Sequence, residues 1–265
     1  MLTVPSLFRK YCDSKYLPLG FIRHKNTYAR MQNGMLQTFT LQRFSRSKWY
    51  TVCFGIVPLC NLILDLDIGH YELDEFYDDI TIYGYGWAPD SISIDANRNC
   101  AAKITHAIDE NLLPLFAECI DAPKALAALL KIEEKFDNNR KSFLHQVGSD
   151  DCAEPWQERS LFDDNKYWLA IKCRDYAYVK RCLSHQIKDC EILISEIESG
   201  NDPQPASVYT NAIAECESLR KRLRKLDNAD YAFFEEMAET QEKQTLSWLR
   251  DTYPRLLDRS VWSEN

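Results

Sequence analysis

The sequence of 265 residues lacks the patterns that define the common catalytic classes of protein. It has eight glycines, and none of them forms a Gly-rich phosphate-binding pattern before a helix. No H-E-x-x-H or H-x-x-x-H spacing occurs among its five histidines, no G-x-S-x-G occurs, and no cysteine lies in an activating context. The sequence therefore predicts binding rather than catalysis, with no catalytic residue, cofactor or metal ion.

The chain also lacks a secretory leader and a membrane-spanning run. Its N-terminus has no apolar stretch typical of a signal peptide, and its longest apolar segment, residues 52–66, is interrupted by Pro58, Asn61 and Asp65. Its ten cysteines are scattered without a C-x-x-C pair, which favours reduced thiols over a disulfide framework. We therefore expect a cytoplasmic protein with no membrane partner.

Charge is the most unevenly distributed property of the sequence. Residues 1–60 carry nine Lys and Arg against a single acid, Asp13, which gives a net charge of +8. Residues 61–95 carry nine acids and neither Lys nor Arg, which gives −9. Such segregation predicts an electrostatic partner, either another molecule or the neighbouring half of the same domain.

The hydrophobic pattern predicts an α+β fold that opens with a short helix and an antiparallel β-meander packed with helices. Asn33-Gly34 is a strong hairpin signal because both residues tolerate the positive φ of a two-residue type I′ turn. Such a turn places Tyr28 opposite Phe39 and Arg30 opposite Gln37 on one face of the sheet. The predicted strands are residues 27–32, 35–44, 49–59 and 80–85.

Helical patterns replace strands at about residue 96, with Asp95 as the predicted N-cap and Pro114 as a kink or end. Residues 145–160 combine Gly, Pro and an acidic pair and predict a domain boundary. The sequence thus predicts an α+β domain at 1–150 and an antiparallel helical bundle at 159–265. The predicted bundle helices are residues 161–173, 176–199, 207–226 and 231–252.

Basic and aromatic residues alternate around the predicted hairpin, and an acidic segment with aromatic residues follows. Together they offer charge and ring anchors to an unknown protein partner of the immunity or effector kind. Nucleic acid is the alternative partner, since cations contact phosphates and rings stack on bases. The candidate binding residues are Arg23, Lys25, Tyr28, Arg30, Arg43, Arg46, Lys48 and Trp49 in the basic part, and Asp74, Glu75, Phe76 and Tyr77 in the acidic part.

One segment of the sequence supports a metal site in the nucleic-acid-processing alternative. Alternation in residues 64–68 puts Asp65 and Asp67 on one face of a strand, a geometry that holds Mg²⁺ beside a phosphate. The segment looks like the hDhDh strand of nucleotidyltransferases, which also have a Gly-Ser turn upstream. Here the corresponding position is Gly55-Ile56, without the serine.

The N-terminal half also resembles a known family. The resemblance is carried by Gly20-Phe21 with Arg23, by Tyr28 and Arg30, by Gln42, and by Val52 with Gly55-Ile56. Over roughly residues 5–120 the chain resembles a bacterial family catalogued as domain of unknown function 4304, and residues 113–116 look like its closing helix. The resemblance implies an α+β fold and a bacterial source but no established activity. Such domains are similar in scale to small immunity and interaction modules.

Overall fold

The computed structural model describes residues 2–43, 49–63, 65–66, 71–72, 87–132, 134, 164–200 and 205–258. The chain has the predicted α+β fold, with an antiparallel sheet followed by helices. Its contacts divide it into two units, Met1–Asp150 with Gln241–Asn265, and Asp151–Thr240. This division differs from the predicted second domain, 159–265, because the residues from Gln241 onward group with the first unit. The predicted boundary at 145–160 lies outside the described residues.

The first unit is built on a sheet with the strand order β1-β2-β3-β4-β5, in which neighbouring strands are antiparallel. The turn between β2 and β3 is formed by Asn33 and Gly34, with φ of 50° and 75°. Tyr28 pairs with Phe39 and Arg30 with Gln37, which confirms the predicted register. The strands are β1 Ile22–His24, β2 Thr27–Gln32, β3 Met35–Arg43, β4 Tyr50–Pro58 and β5 Tyr71–Glu72. The predicted strand at 80–85 lies outside the described residues.

Helix α1, Val4–Tyr16, covers one face of this sheet. It begins with a capping box in which the Thr3 and Ser6 side chains each accept a hydrogen bond from the other residue's backbone N–H. Aromatic rings fill the space between helix and sheet, as in the edge-to-face contact of Phe8 with Phe39. The buried rings of this layer are Phe8, Tyr16, Phe21, Tyr28, Phe39, Phe54 and Phe116.

Helix α2, Ile94–Ala107, begins two residues before the predicted start at about residue 96. The N-cap is Ser93, whose hydroxyl accepts from the Ala96 N–H, and not the predicted Asp95. Asp95 instead lies in the first turn, where the positive end of the helix dipole favours an acid, and it pairs with Arg98. Ser93 takes the cap because its backbone is extended, with φ −136° and ψ 162°.

The chain remains helical through Pro114, so the helix does not end there, which was one of the two predicted outcomes. A π turn at Ile108–Leu112 follows α2, and α3, Leu113–Glu118, follows the turn with Pro114 in its first positions. Proline cannot donate to a carbonyl in the preceding turn, so the regular α-helical bonding pattern changes just before it. A further helix, α4, covers residues 122–132, and Asp121 caps it by accepting from the Lys124 N–H.

The other face of the sheet packs against the C-terminal segment. The buried cluster there comprises Ala29, Leu36, Val57, Leu59, Ile63, Leu66, Leu249 and Leu256. The backbone N–H of Ile63 donates to the Thr245 hydroxyl at 3.2 Å, and the ring of Tyr253 meets that of His24 at 5.5 Å. These contacts explain why the residues from Gln241 onward belong to the first unit.

The second unit is helical. Helices α6, Tyr176–Glu198, and α7, Ala206–Asp227, run antiparallel. Lys180 pairs with Asp227 near one end of the helix pair, and Glu191 pairs with Arg220 further along. α5 is buried from Asn165 to Ile171, and burial lowers the pKa of Lys166 to about 7. The helices are α5 Asp164–Lys172, α6 Tyr176–Glu198, α7 Ala206–Asp227 and α8 Tyr231–Thr252, the last continuing into the first unit. No helix in the described ranges is both long and apolar enough to cross a bilayer.

Candidate binding surface of the first unit

Tyr28, one of the predicted binding residues, is part of the core. Its ring is fully buried and stacks on Phe39 with centroids 5.1 Å apart and planes 9° from parallel. Its hydroxyl donates to Oδ1 of Asp13 at 2.7 Å and lies 3.3 Å from the Arg9 carbonyl. Burial and the Asp13 hydrogen bond raise the pKa of Tyr28 above its ordinary value. Tyr28 is therefore not part of the candidate surface, because its buried ring is not accessible to a base or a peptide.

Arg23, a second predicted binding residue, is neutralised within the first unit. Its Nη1 lies 2.7 Å from Oδ2 of Asp13, the same carboxylate that accepts from Tyr28. The two side chains are 38% and 33% exposed, so the pair lies at the surface and joins β1 to α1. Because Asp13 is the single acid among residues 1–60, it compensates one charge of the basic block.

A second carboxylate that sequence reasoning missed lies in the π turn. Asp109 accepts from the hydroxyls of Tyr11 at 2.5 Å and Tyr16 at 2.7 Å, and its Oδ2 lies 2.7 Å from the Lys15 ammonium. Burial by itself would raise the pKa of Asp109, but hydrogen bonds from Lys15, Tyr11 and Tyr16 outweigh burial and lower it. We call these four residues the Asp109 network. It joins α1 to the π turn and compensates Lys15.

Arg30 lies on β2 toward the hairpin turn and is half-buried. Its Nε donates to Oε1 of Gln37 at 2.7 Å, and Gln37 in turn donates from Nε2 to the Phe116 carbonyl at 2.8 Å. Its guanidinium carbon lies 4.7 Å from the centroid of the Phe21 ring. Arg30 is thus anchored by neutral groups, unlike Arg23, which faces a carboxylate.

The remaining described residues of the predicted basic surface lie at one end of the sheet. Lys25 occupies the β1–β2 turn with φ of 56° and is exposed, Arg43 ends β3 and is exposed, and Trp49 precedes β4 and is 40% exposed. The β1–β2 turn, the last residues of β3 and the first residues of β4 lie at the same end of the sheet. These three residues therefore share one region. We call this region, Lys25, Asn26, Arg43, Trp49 and Tyr50, the loop end.

An open cleft of about 200 Å³ lies at the loop end. It combines the guanidinium of Arg43 with hydroxyl and amide groups and with apolar side chains, so it suits an acidic or polar group beside an apolar one. Arg43 and Tyr50 are register partners across β3 and β4. The residues that line the cleft are Thr3, Pro5, Asn26, Leu41, Arg43 and Tyr50.

Several predicted residues lie outside the described residues, namely Arg46, Lys48, Asp67, Asp74, Glu75, Phe76 and Tyr77. Asp65, the other ligand of the metal alternative, is exposed. Burial, followed by the charge of Asp65, raises the pKa of Tyr253. Within the described part of the chain, no group of three or more His, Cys, Asp or Glu side chains is placed to hold a metal ion.

No family model matches this chain, and neither a curated protein nor a solved structure matches it. The resemblance to domain of unknown function 4304 therefore stays a prediction.

Proposed function

We propose that this protein binds an acidic segment of a protein partner through the loop end, as a non-enzymatic interaction protein of the immunity or effector kind. One observation carries the proposal: Lys25, Arg43 and Trp49 are exposed at one end of the sheet, where Arg43 also lines an open cleft. The scattered cysteines of the sequence, without a C-x-x-C pair, favour a cytoplasmic setting for this interaction.

The charges of the first unit favour the loop end over the rest of the basic block. Arg23 is paired with Asp13 and Lys15 with Asp109, so these two cations already have counter-charges. Lys25 has no acidic partner among the described residues. A cluster of exposed cations steers an acidic partner and fixes its orientation, although each exposed pair contributes at most about 1 kcal/mol.

The loop end also offers the anchors that give an interface its affinity. Trp49 is 40% exposed, and Trp and Arg are among the residue types that most often dominate binding energy at interfaces. The cleft beside it is lined in part by Pro5, Leu41 and Tyr50, which suit an apolar side chain of the partner. We therefore infer a partner segment with carboxylates flanking an aromatic or aliphatic residue.

Single-stranded nucleic acid is a second candidate, favoured by the exposure of Trp49 beside cations, since a base can stack on such a ring. The net charge of −8 and the pI near 5.2 weigh toward a protein partner, because long-range repulsion opposes a polyanion. Both candidates use the same residues, so one experiment separates them.

The experiment measures fluorescence polarisation of a labelled polyglutamate peptide and of a labelled single-stranded oligonucleotide with the full chain. The tested variant is Lys25→Glu with Arg43→Glu. The matched control is Lys103→Glu with Lys131→Glu, which changes the net charge equally at two exposed lysines of α2 and α4. We expect the loop-end variant to weaken peptide binding by about tenfold or more, because like charges then meet across the interface.

The control variant should bind the peptide as the wild type does, and binding should weaken from low salt to about 0.15 M because exposed charges are screened. Tighter binding of the oligonucleotide than of the peptide would indicate that the partner of the loop end is a nucleic acid and not a protein. Equal losses in both variants would contradict the loop end as the binding surface, since net charge alone would then explain them.

A further inference from the structure

Arg30 combines a fixed side chain with unused hydrogen-bond donors. Gln37 is fully buried, and its two ends are assigned by their partners: its nitrogen faces the Phe116 carbonyl and its oxygen faces Arg30. The Nε edge of the guanidinium is therefore held at 2.7 Å by an amide that has one orientation. The buried Phe21 ring, 4.7 Å away, supports the guanidinium from a second direction.

A guanidinium has five N–H donors, and Gln37 uses one of them. Four donors remain on Nη1 and Nη2, and the hydrogen bonds that Arg30 makes within the described ranges end at Gln37. Donors that are partly withdrawn from water and left without an acceptor are unfavourable, so a bound acceptor stabilises them.

The electrostatic surroundings of Arg30 point in the same direction. Burial lowers the pKa of Arg30, and among the described residues no carboxylate opposes this effect. Arg23 on β1 shows the opposite arrangement, since its guanidinium lies 2.7 Å from Asp13. Arg30 is thus a half-buried cation that contacts the neutral Gln37 amide and the Phe21 ring. Its Nη1 and Nη2 N–H groups are suited to an anion that comes from outside the chain.

We propose that Arg30 is the receptor for an oxoanion, a carboxylate or phosphate group whose two oxygens accept from the Nη1 and Nη2 N–H groups. This site stands independently of the proposed function. Arg30 and Lys25 are five positions apart along β2 and its turn, which at about 3.3 Å per position gives a separation of at most about 17 Å.

The proposal is tested by NMR titration of the full chain with sodium acetate and with inorganic phosphate at constant ionic strength. The reporters are the Arg30 Nε–H, the side-chain amide of Gln37 and the backbone amide of Phe21. We expect saturable shifts at these groups, and the anion that produces them identifies the ligand as a carboxylate, a phosphate or either. Sodium chloride producing the same shifts, or no saturable shift with either oxoanion, would overturn the proposal.

A variant pair separates the guanidinium fork from charge alone. Arg30→Lys keeps the charge but loses bidentate geometry, so we expect its oxoanion affinity to fall by about tenfold or more. The matched control, Arg23→Lys, changes a cation that already has a carboxylate and should bind as the wild type does. Unchanged affinity in Arg30→Lys would exclude the receptor.

If Arg30→Lys fails to fold, the wild-type titration still decides. Shifts at Phe21, Arg30 and Gln37 support the receptor, and shifts only at Lys25 and Arg43 exclude it. Because Arg30→Lys leaves the loop end intact, its affinity for the polyglutamate peptide should be unchanged. Failure of this proposal is thereby distinguished from failure of the proposed function.

Discussion

The Asp109 network and the loop end contain the same kinds of residue, cations beside tyrosines, yet their surroundings differ. Lys15 meets a carboxylate that two tyrosine hydroxyls also hold, and the Asp109 side chain is only 16% exposed. At the loop end, Lys25 is exposed in a turn and Arg43 lines a cleft. Two acids, Asp13 and Asp109, therefore give Arg23 and Lys15 of the basic block their counter-charges within the first unit.

The largest expected effect follows from removing the shared carboxylate. Asp109→Ala leaves the buried Tyr16 hydroxyl without its acceptor and Lys15 without its counter-charge. We expect the free energy of unfolding to fall by about 2–4 kcal/mol, as measured by urea denaturation. The control is Asp95→Ala, whose side chain is 85% exposed and which should cost less than about 1 kcal/mol. Similar losses in the two variants would show that the network is an ordinary surface pair.

Acid should remove part of the same stabilisation. The pKa of Asp109 is lower in the folded protein than its ordinary value of 3.8, so the folded state binds its proton less readily than the unfolded state does. The contribution is therefore complete above about pH 5 and is lost as the pH falls through the folded-state pKa. Urea denaturation of the wild type and Asp109→Ala from neutral to acid pH measures it. The difference between them should shrink below about pH 4, and a difference that grows on acidification would contradict the network.

The smallest expected effect concerns Tyr28, which the sequence predicted to be a binding residue. Tyr28→Phe removes the hydrogen bonds to Asp13 and the Arg9 carbonyl but keeps the ring on Phe39. We expect a loss of about 1 kcal/mol in unfolding free energy. Affinity for the polyglutamate peptide should stay at the wild-type value. A clear fall in affinity would show that the Tyr28 hydroxyl does contribute to binding.

Local patterns in the sequence predicted strands β2, β3 and β4, but not β1 or β5. The Asn33-Gly34 turn determines the β2–β3 register, since a two-residue loop leaves one way to pair the strands. The predicted 231–252 helix agrees with α8, because a long periodic run reports its own conformation. The N-cap of α2 was misplaced because Ser93 and Asp95 are both good caps, and only the backbone conformation distinguishes them.

The candidate site was less predictable, because it depends on residues that are distant in the sequence. Tyr16 and Asp109 are 93 positions apart, and no period or motif connects them. Likewise, the predicted helix at 231–252 did not indicate that Leu249 packs with Leu36 on the sheet. Only the structure shows that Arg23 pairs with Asp13 and that Tyr28 is buried in the aromatic core.

A paired measurement on two variants tests the division between stabilising and binding cations. Unfolding free energy and affinity for the polyglutamate peptide are both measured for Asp109→Ala and for Lys25→Glu with Arg43→Glu. We predict opposite outcomes: Asp109→Ala loses stability and keeps its affinity, while the loop-end variant loses affinity and keeps its stability. If both variants lose both properties together, the two regions are not separate in function and the division is wrong.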